Sequence, residues 1–308
     1  MKLSVVILSL QMLCLFACNY NSPKNQDILN TANTSKKEMA VCKPELVSDS
    51  LPPITLEQSG MIWHDSLIWV NNDSGGAPEL YAYNLNGSLV RTLQIKNATN
   101  NDWEALAEDE QYFYIGDFGN NFGARKNLCL YRVEKAEIKN ASIIVAEADT
   151  IQFHWADQES FLSLKHHHNY DCEALFAYGD SLYFFTKNWE NLKTRMYAMP
   201  KFGKEHSLHP KASFNADLLV TGADISSDGK LVALVGYKDY KTYLYLFYDF
   251  KGVDFLDGKN IRLDLSILGG VQTEGVVFTD NGDLFINSEA TKQKQAIYKI
   301  DWKQFIQN

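Results

Sequence analysis

Acidic side chains recur at one position of a motif that this 308-residue chain repeats five times. Aligned copies begin at residues 59, 104, 173, 223 and 274, and four of these positions carry oxygen ligands: Ser59, Glu104, Glu173 and Glu274. Carboxylates that converge on one point repel each other unless protons or a cation neutralise them. Oxygen-only ligands suit Ca²⁺ or Mg²⁺ better than Zn²⁺ or copper. The pattern therefore predicts a Ca²⁺ or Mg²⁺ site, to which Ala223 contributes at most a backbone carbonyl.

The alternative to a cation site is a purely structural role for the repeated glutamates. In that case each glutamate accepts hydrogen bonds from backbone N–H groups of a neighbouring repeat.

Polar loops after the second apolar run of each repeat supply further candidates. Lys187 and Arg125 could bind an anionic group that is bridged to the cation. Asp73 or Asp117 would serve as general base in a hydrolytic reaction. The residues predicted to bind ligand are Asn72, Asp73, Asp117, Asn121, Arg125, Lys187, Asn188, Tyr237 and Glu289. The tract 166–168 is three adjacent histidines, which cannot all face one ion, so it is predicted to be a solvated loop.

Each repeat reads as four short strands. A second apolar run follows a turn such as Asp228-Gly229 or Asn281-Gly282, and a third run carries a tyrosine. Four strands in roughly 40–50 residues form the blade of a β-propeller. We therefore predict an all-β fold, a single β-propeller with five four-stranded blades. Six blades are the alternative, because extra residues between 134 and 169 could hide a degenerate blade.

The order of strands positions the candidate residues. In a meander, the first strand of each blade lines the axis, and its start lies on the same face as the end of the second strand. The repeated glutamates and the polar loops should therefore meet on one face. The last repeat lacks a fourth strand, and residues 41–47 are predicted to supply it by pairing near 295–299.

The N-terminus predicts a membrane anchor. Leu15-Phe16-Ala17-Cys18 follows an apolar run and resembles the bacterial lipobox, whose cysteine is acylated. The predicted organisation is a lipoprotein signal peptide at 1–17, a flexible tether at 18–40 with lipidated Cys18, and the propeller at 41–308. The predicted location is the bacterial cell envelope, lipid-anchored at the outer membrane, with the exposed face undecided. An ordinary secretory signal is the alternative.

Composition limits the partners and the disulfides. The net charge of -9 disfavours a nucleic-acid partner, because such partners demand phosphate neutralisation. Cys42, Cys129 and Cys172 remain after processing, in spacings that match no zinc site. One disulfide among them is compatible with an oxidising compartment.

Three motifs resemble a family of bacterial secreted propeller proteins, mostly of unassigned function. They are Asp102-Trp103-Glu104 with the loop 116–121, Asp171 to Leu175 with Thr186-Lys187, and Thr221 to Ser226 with Asp228-Gly229. The resemblance implies a propeller fold and an extracytoplasmic location, but no particular reaction. A looser similarity is to five-bladed calcium-activated nucleotidases, which hold Ca²⁺ on the axis through Ser and Glu. Phytase-like propellers are more distant.

The predicted function is binding of a small anionic ligand or a partner through a cation-centred channel face. The alternative is a metal-dependent phosphoester or nucleotide hydrolase that uses the same site. The sequence singles out no activated nucleophile or base and so leaves open whether the protein is an enzyme.

Overall fold

The strands form a closed ring of five sheets. The computed structural model of the protein describes residues 38–306, where all regular elements are β-strands or short 3-10 helices. The innermost strand of each sheet contacts that of the next, and the last contacts the first. The fold is thus a five-bladed β-propeller, as predicted, and the six-bladed alternative is wrong. No helix in this range is both long and apolar enough for a membrane span.

Each blade is an antiparallel meander of four strands that run in sequence from the axis outwards. Blade 1 consists of Gln58–His64, Leu67–Asn72, Glu79–Tyr83 and Leu89–Ile95. Blade 2 consists of Trp103–Glu108, Tyr112–Asp117, Leu128–Glu134 and Asp149–Trp155. Blade 3 consists of Asp171–Tyr178, Ser181–Lys187, Thr194–Pro200 and Pro210–Phe214. Blade 4 consists of Leu219–Ile225, Leu231–Lys238, Lys241–Tyr248 and Lys259–Asp264. Blade 5 consists of Thr273–Phe278, Leu284–Ser288 and Ala296–Ile300, with Glu45–Ser48 as its outermost strand.

Three blades carry a fifth strand, which runs parallel to the fourth and covers its edge. The added strands are Ile143–Ala146 on blade 1, Glu205–Leu208 on blade 2 and Glu38–Val41 on blade 4. The long segment 134–169 therefore holds an edge strand and the last strand of blade 2, not a further blade. Short 3-10 helices lie in the connections: Pro53–Thr55, Lys135–Glu137, Phe255–Asp257, Ser266–Leu268 and Lys303–Phe305.

The N-terminal part of the folded chain closes the ring. Glu45–Ser48 pairs antiparallel with Ala296–Ile300, which confirms the predicted closure with slightly shifted bounds. Because Glu38–Val41 also forms a strand, the folded domain begins before the predicted boundary at residue 41. The predicted signal peptide, Cys18 and most of the predicted tether lie outside the described residues.

Apolar side chains fill the spaces between blades. Both faces of each inner strand pack against a neighbouring sheet, so most residues of these strands are buried. Trp69 of blade 1 meets Phe113 of blade 2 with ring centroids 5.5 Å apart. Trp155 of blade 2 similarly meets Phe184 of blade 3 at 6.0 Å. Cys42, Cys129 and Cys172 are buried free thiols and form no disulfide with each other.

A β-bulge interrupts every innermost strand at the same level. Its first unpaired residue is Ser59, Glu104, Glu173, Thr221 or Glu274 in blades 1 to 5. A bulge turns a side chain out of the regular alternation. The equivalent of the repeated glutamates in blade 4 is therefore Thr221, and the predicted alignment on Ala223 is wrong by two residues.

Candidate functional site

An apolar layer closes the channel just below the bulges. Met61, Leu106, Leu175, Ala223 and Val276 are among the residues around a space of only about 10 Å³, which is about the minimum that holds one water. The two mouths of the channel are therefore separate cavities. Ala223, predicted to sit among the cation ligands, belongs to this layer.

The face on which the first strands begin carries an open cavity of about 520 Å³, which we name the axial cavity. Strand direction explains its lining, which combines the starts of first strands with the ends of second strands. The residues predicted from the sequence that line it are Ser59, Asp73, Glu104, Asn121, Glu173, Lys187, Tyr237, Glu274 and Glu289.

A buried lysine neutralises one of the glutamates. Lys187 donates to both carboxylate oxygens of Glu173 at 2.6 Å, and its side chain is only 5% exposed. Burial alone would lower the pKa of Lys187, but the charge of Glu173 outweighs it and the pKa is raised. Lys187 is thus the internal counter-ion of Glu173, which leaves neither group free for the ligand roles that the sequence suggested.

Hydroxyl groups at the bulges tie adjacent blades together. Ser59 Oγ donates to the backbone carbonyl of Glu104 at 2.7 Å, and Thr221 Oγ1 donates to that of Thr273 at 2.7 Å. Both side chains are buried. At these two bulges a hydroxyl group, not a glutamate, therefore makes the contact between blades. Ser59 Oγ also lies 3.4 Å from Glu104 Oε2.

Three carboxylates form a group beside the axis, which we name the carboxylate cluster. Asp73, Asp102 and Glu104 each offer an oxygen, and these atoms all lie within 4.8 Å of one another. A Cβ atom on Gly119 would stand 2.3 Å from Glu104 Oε1 and 2.6 Å from Asp102 Oδ2, so only glycine permits this approach. The cluster has the oxygen donors that a hard divalent cation prefers.

Sequence reasoning misses Asp102 as a site residue, although its motif with Trp103 and Glu104 stands out. Asp102 precedes the first strand of blade 2. It is therefore not at the aligned position of the repeats from which the candidate ligands were chosen. Only the path of the chain before this strand brings it beside Asp73 of blade 1.

Burial and mutual repulsion suppress ionisation in this site. Desolvation, followed by the charge of Asp73, raises the pKa of Asp102 to about 7. Desolvation, followed by repulsion from Glu173, raises the pKa of Glu104 well above its usual range. The pKa of Glu274 rises to about 7 and that of Glu289 to about 8, in both cases mainly through burial. A bound cation would favour the charged forms.

Asp117 and Arg125 support the loop that carries Asp102. Arg125 Nη2 lies 2.6 Å from Asp117 Oδ1, and Asp117 is fully buried. Asp117 also accepts the backbone N–H groups of Asn101 at 3.3 Å and Asp102 at 3.2 Å. Since these bonds occupy both carboxylate oxygens, Asp117 is unsuited to act as general base. It is not among the residues that line the axial cavity.

Two predicted ligand residues instead fix loops. Asn72 Nδ2 donates to the carbonyl of Ile54 at 2.7 Å, and Asn188 Nδ2 donates to Asn191 Oδ1 at 3.1 Å. The lining of the axial cavity includes neither asparagine. Asparagine is common in such turns because its side chain bonds nearby backbone.

His166 belongs to the site, contrary to the prediction of a solvated loop. It lines the axial cavity, and its ring stacks on Trp189 with centroids 3.6 Å apart. Its Nε2 lies 3.2 Å from Asn121 Oδ1, and burial followed by Lys165 lowers its pKa. Nothing in the His tract itself distinguishes this residue from its two neighbours.

A second cavity, of about 730 Å³, adjoins the carboxylate cluster, and we name it the lateral cavity. Asp102 and Asn121 line it, together with three cations, Arg125, Lys126 and Lys165. Asn121 also lines the axial cavity. The cluster therefore lies between an acidic cavity and one that carries basic groups.

Several solved structures are similar to this chain. Two structures titled glucose dehydrogenase are similar: the first shares 6% sequence identity at TM-score 0.51 and covers 84% of this chain and 99% of its own. The second shares 7% identity at TM-score 0.49 and covers 83% of this chain and 98% of its own. Regucalcin from Agrobacterium tumefaciens, titled a calcium-binding protein, shares 11% sequence identity at TM-score 0.46. It covers 86% of this chain and 95% of its own.

At 6% identity the likeness at TM-score 0.51 concerns the fold alone. The strand topology makes the chain a β-propeller protein. No family model and no curated protein matches the sequence. The more specific resemblance to bacterial secreted propeller proteins therefore stays a prediction.

Proposed function

We propose that the protein binds a divalent cation, Ca²⁺ or Mg²⁺, on the axial face and holds a small anionic ligand or partner through it. The observation that carries this proposal is the proximity of Asp73, Asp102 and Glu104. Their carboxylates lose solvation on burial, and a divalent cation offsets that loss as well as their repulsion. The cation site is thus beside the axis rather than among all four residues predicted from the repeat.

The lateral cavity suits the anionic part of the ligand. Asp102, Lys126 and Lys165 all line it. An anionic group there could touch the cation on one side and the two ammonium groups on the other. These lysines replace Arg125 and Lys187 in the proposed role, because both of those are committed to internal ion pairs.

Hydrolysis of phosphoesters or nucleotides at the same cation is a second candidate, supported by Asp73. Asp73 lines the axial cavity and belongs to the cluster, and burial raises its pKa, which is the direction that favours a general base. A panel of phosphoesters and nucleotides, assayed with Ca²⁺ or Mg²⁺ and then with chelator, separates this function from binding alone.

Thermal unfolding tests the cation site. Chelator should lower the melting temperature and Ca²⁺ or Mg²⁺ should restore it, since a ligand at 100 times its dissociation constant stabilises by about 2.7 kcal/mol. Asp102→Asn should abolish most of this response by removing one charge at constant shape.

Asp239→Asn is the matched control, because Asp239 lines the same cavity but is outside the cluster. Its response to cation should equal that of the wild type. A melting curve that is indifferent to both chelator and cation would contradict the proposal.

We also propose that the protein is a lipoprotein of the bacterial cell envelope, anchored to the membrane through Cys18. The motif ending in Cys18 supports this, and acyl chains can anchor a protein without a spanning helix. Cys18→Ser should stop incorporation of labelled palmitate and release the protein from membranes. Unchanged labelling in that variant would refute the anchor.

A further inference from the structure

The connection between blades 2 and 3, residues 156–170, is longer than any other connection between blades. It packs against the loop 118–127 of blade 2, and we name the two segments together the loop ridge. The backbone N–H of Leu164 donates to the carbonyl of Phe122 at 3.0 Å. The backbone N–H of His166 donates to a carbonyl of the same loop, also at 3.0 Å. Long connections that are held in a fixed conformation often carry a binding function.

Further polar contacts hold the loop ridge in place. Gln158 is only 7% exposed, and its Nε2 donates to the carbonyl of Gly123 at 2.8 Å. His168 Nε2 lies 3.1 Å from the carbonyl oxygen of Asn121. Polar contacts, rather than burial of its own apolar side chains, therefore fix the backbone of the ridge.

Several apolar side chains of the ridge are exposed to solvent. Leu162 is 72% exposed, and Phe122 and Leu164 are each 50% exposed. The backbone hydrogen bond between Leu164 and Phe122 makes these two residues neighbours. Phe161, which precedes Leu162, is half-buried. A group of exposed apolar side chains with a polar rim marks a site of association with a protein or a membrane.

Two lysines distinguish between these partners. Lys126 Nζ lies 4.8 Å from the centroid of the Phe161 ring, and Lys165 Nζ lies 5.6 Å from that of Phe122. Both lysines are exposed. Ammonium groups beside exposed apolar side chains complement the phosphates of an anionic lipid surface. Such phosphates are mobile, and a lysine can follow them because its ammonium group needs no fixed partner geometry.

We propose that the loop ridge docks on an anionic lipid surface. Leu162, Leu164 and Phe122 enter the boundary between head groups and acyl chains, and Lys126 and Lys165 meet lipid phosphates. The two lysines are also those of the lateral cavity. Docking needs no divalent cation, however, so this proposal and the proposed function can fail separately.

Co-sedimentation with lipid vesicles tests the docking. The protein used is residues 19–308, which keep every strand of the closed ring and lack the predicted acylation site. With chelator present, it should bind vesicles of phosphatidylglycerol and phosphatidylcholine, and added salt should weaken the binding. Binding to phosphatidylcholine alone should be about tenfold weaker or more, since each lysine near an anionic surface contributes about fivefold. Equal binding to both compositions, or binding to neither, would overturn the proposal.

Variants assign the docking surface. Leu162→Ser should weaken vesicle binding about tenfold by removing apolar surface, and Lys165→Gln should weaken it about fivefold by removing one charge. Glu159→Gln should strengthen binding, because it removes an exposed carboxylate from the ridge. Ile267→Ser is the matched control, since Ile267 is 61% exposed but lies between blades 4 and 5. Equal effects of Leu162→Ser and Ile267→Ser would refute the assignment.

Other occupants of the ridge give different outcomes. If sedimentation velocity without lipid shows a dimer that Leu162→Ser converts to a monomer, the ridge joins two copies of the chain and lipid docking is wrong. Asp102→Asn should keep vesicle binding in chelator. If vesicle binding instead requires Ca²⁺ and is lost in Asp102→Asn, the cation site holds the lipid and the ridge is not the docking surface.

Discussion

The partner of each carboxylate decides whether it is free for a ligand. Glu173 and Glu274 occupy equivalent bulges, yet Glu173 is bound by Lys187 while Glu274 Oε1 has no partner in the described chain. Asp117 is equally committed, to Arg125. Whether a carboxylate can bind a ligand therefore depends on the lysine and arginine side chains beside it, not on its position in the repeat.

Raised pKa values make cation binding depend on pH. Asp102, with a pKa of about 7, and Glu104, with a pKa raised well above its usual range, hold protons that compete with the cation. Binding must release them. Affinity for Ca²⁺ should rise from pH 6 to pH 8, by about tenfold per pH unit below the pKa for each proton displaced.

Calorimetry in buffers of different ionisation enthalpy counts the released protons directly. If the affinity for Ca²⁺ stays the same across pH 6–8 and no protons are released, the carboxylates are already ionised without the cation.

Close contact between inner strands sets the size of one residue in each blade. The residue after the first bulged position is Gly60, Ala105, Ala174, Gly222 or Gly275. A Cβ atom on Gly60 would lie 2.4 Å from the backbone N of Leu106. A Cβ on Gly222 would lie 2.4 Å from the carbonyl oxygen of Glu274. The bulge and its small neighbour together let each blade approach the next at the axis.

Gly60→Ala should therefore destabilise the ring, because backbone atoms cannot move aside as a side chain would. We expect the free energy of unfolding in urea to fall by about 3 kcal/mol. Gly270→Ala is the control, since nothing lies within 4 Å of a Cβ there. It should change stability by less than about 0.5 kcal/mol. Equal stability of both variants would mean that the blades can separate at the axis without cost.

Closure by Glu45–Ser48 makes the stability of the whole ring depend on its N-terminal strand. Without that strand, blade 5 exposes an unpaired edge. Deletion of residues 38–48 should lower the melting temperature by about 10 °C or more, given several kcal/mol of lost strand pairing and packing.

Deletion of residues 19–36, predicted to be a tether, should leave the melting temperature unchanged. Similar melting temperatures for the two deletions would contradict a closure that depends on the first strands.

The sequence by itself determined the architecture. Alternation of short strands with turns, repeated five times, predicted five blades, the missing strand and the face on which Glu104 and Asp73 meet. This succeeded because strand direction and repetition are local properties that the chain carries along its length.

Tertiary structure alone decided which of these groups act together. It paired Lys187 with Glu173, brought Asp102 to Asp73 and added His166 to the cavity. It also put Thr221 in the place assigned to Ala223, because the bulge shifts the register by an amount that apolar runs do not reveal. Ion pairing and burial depend on residues far away in sequence, and together they set the charge state of each carboxyl group. The sequence lists the carboxylates, and the packing of five blades selects those that remain free.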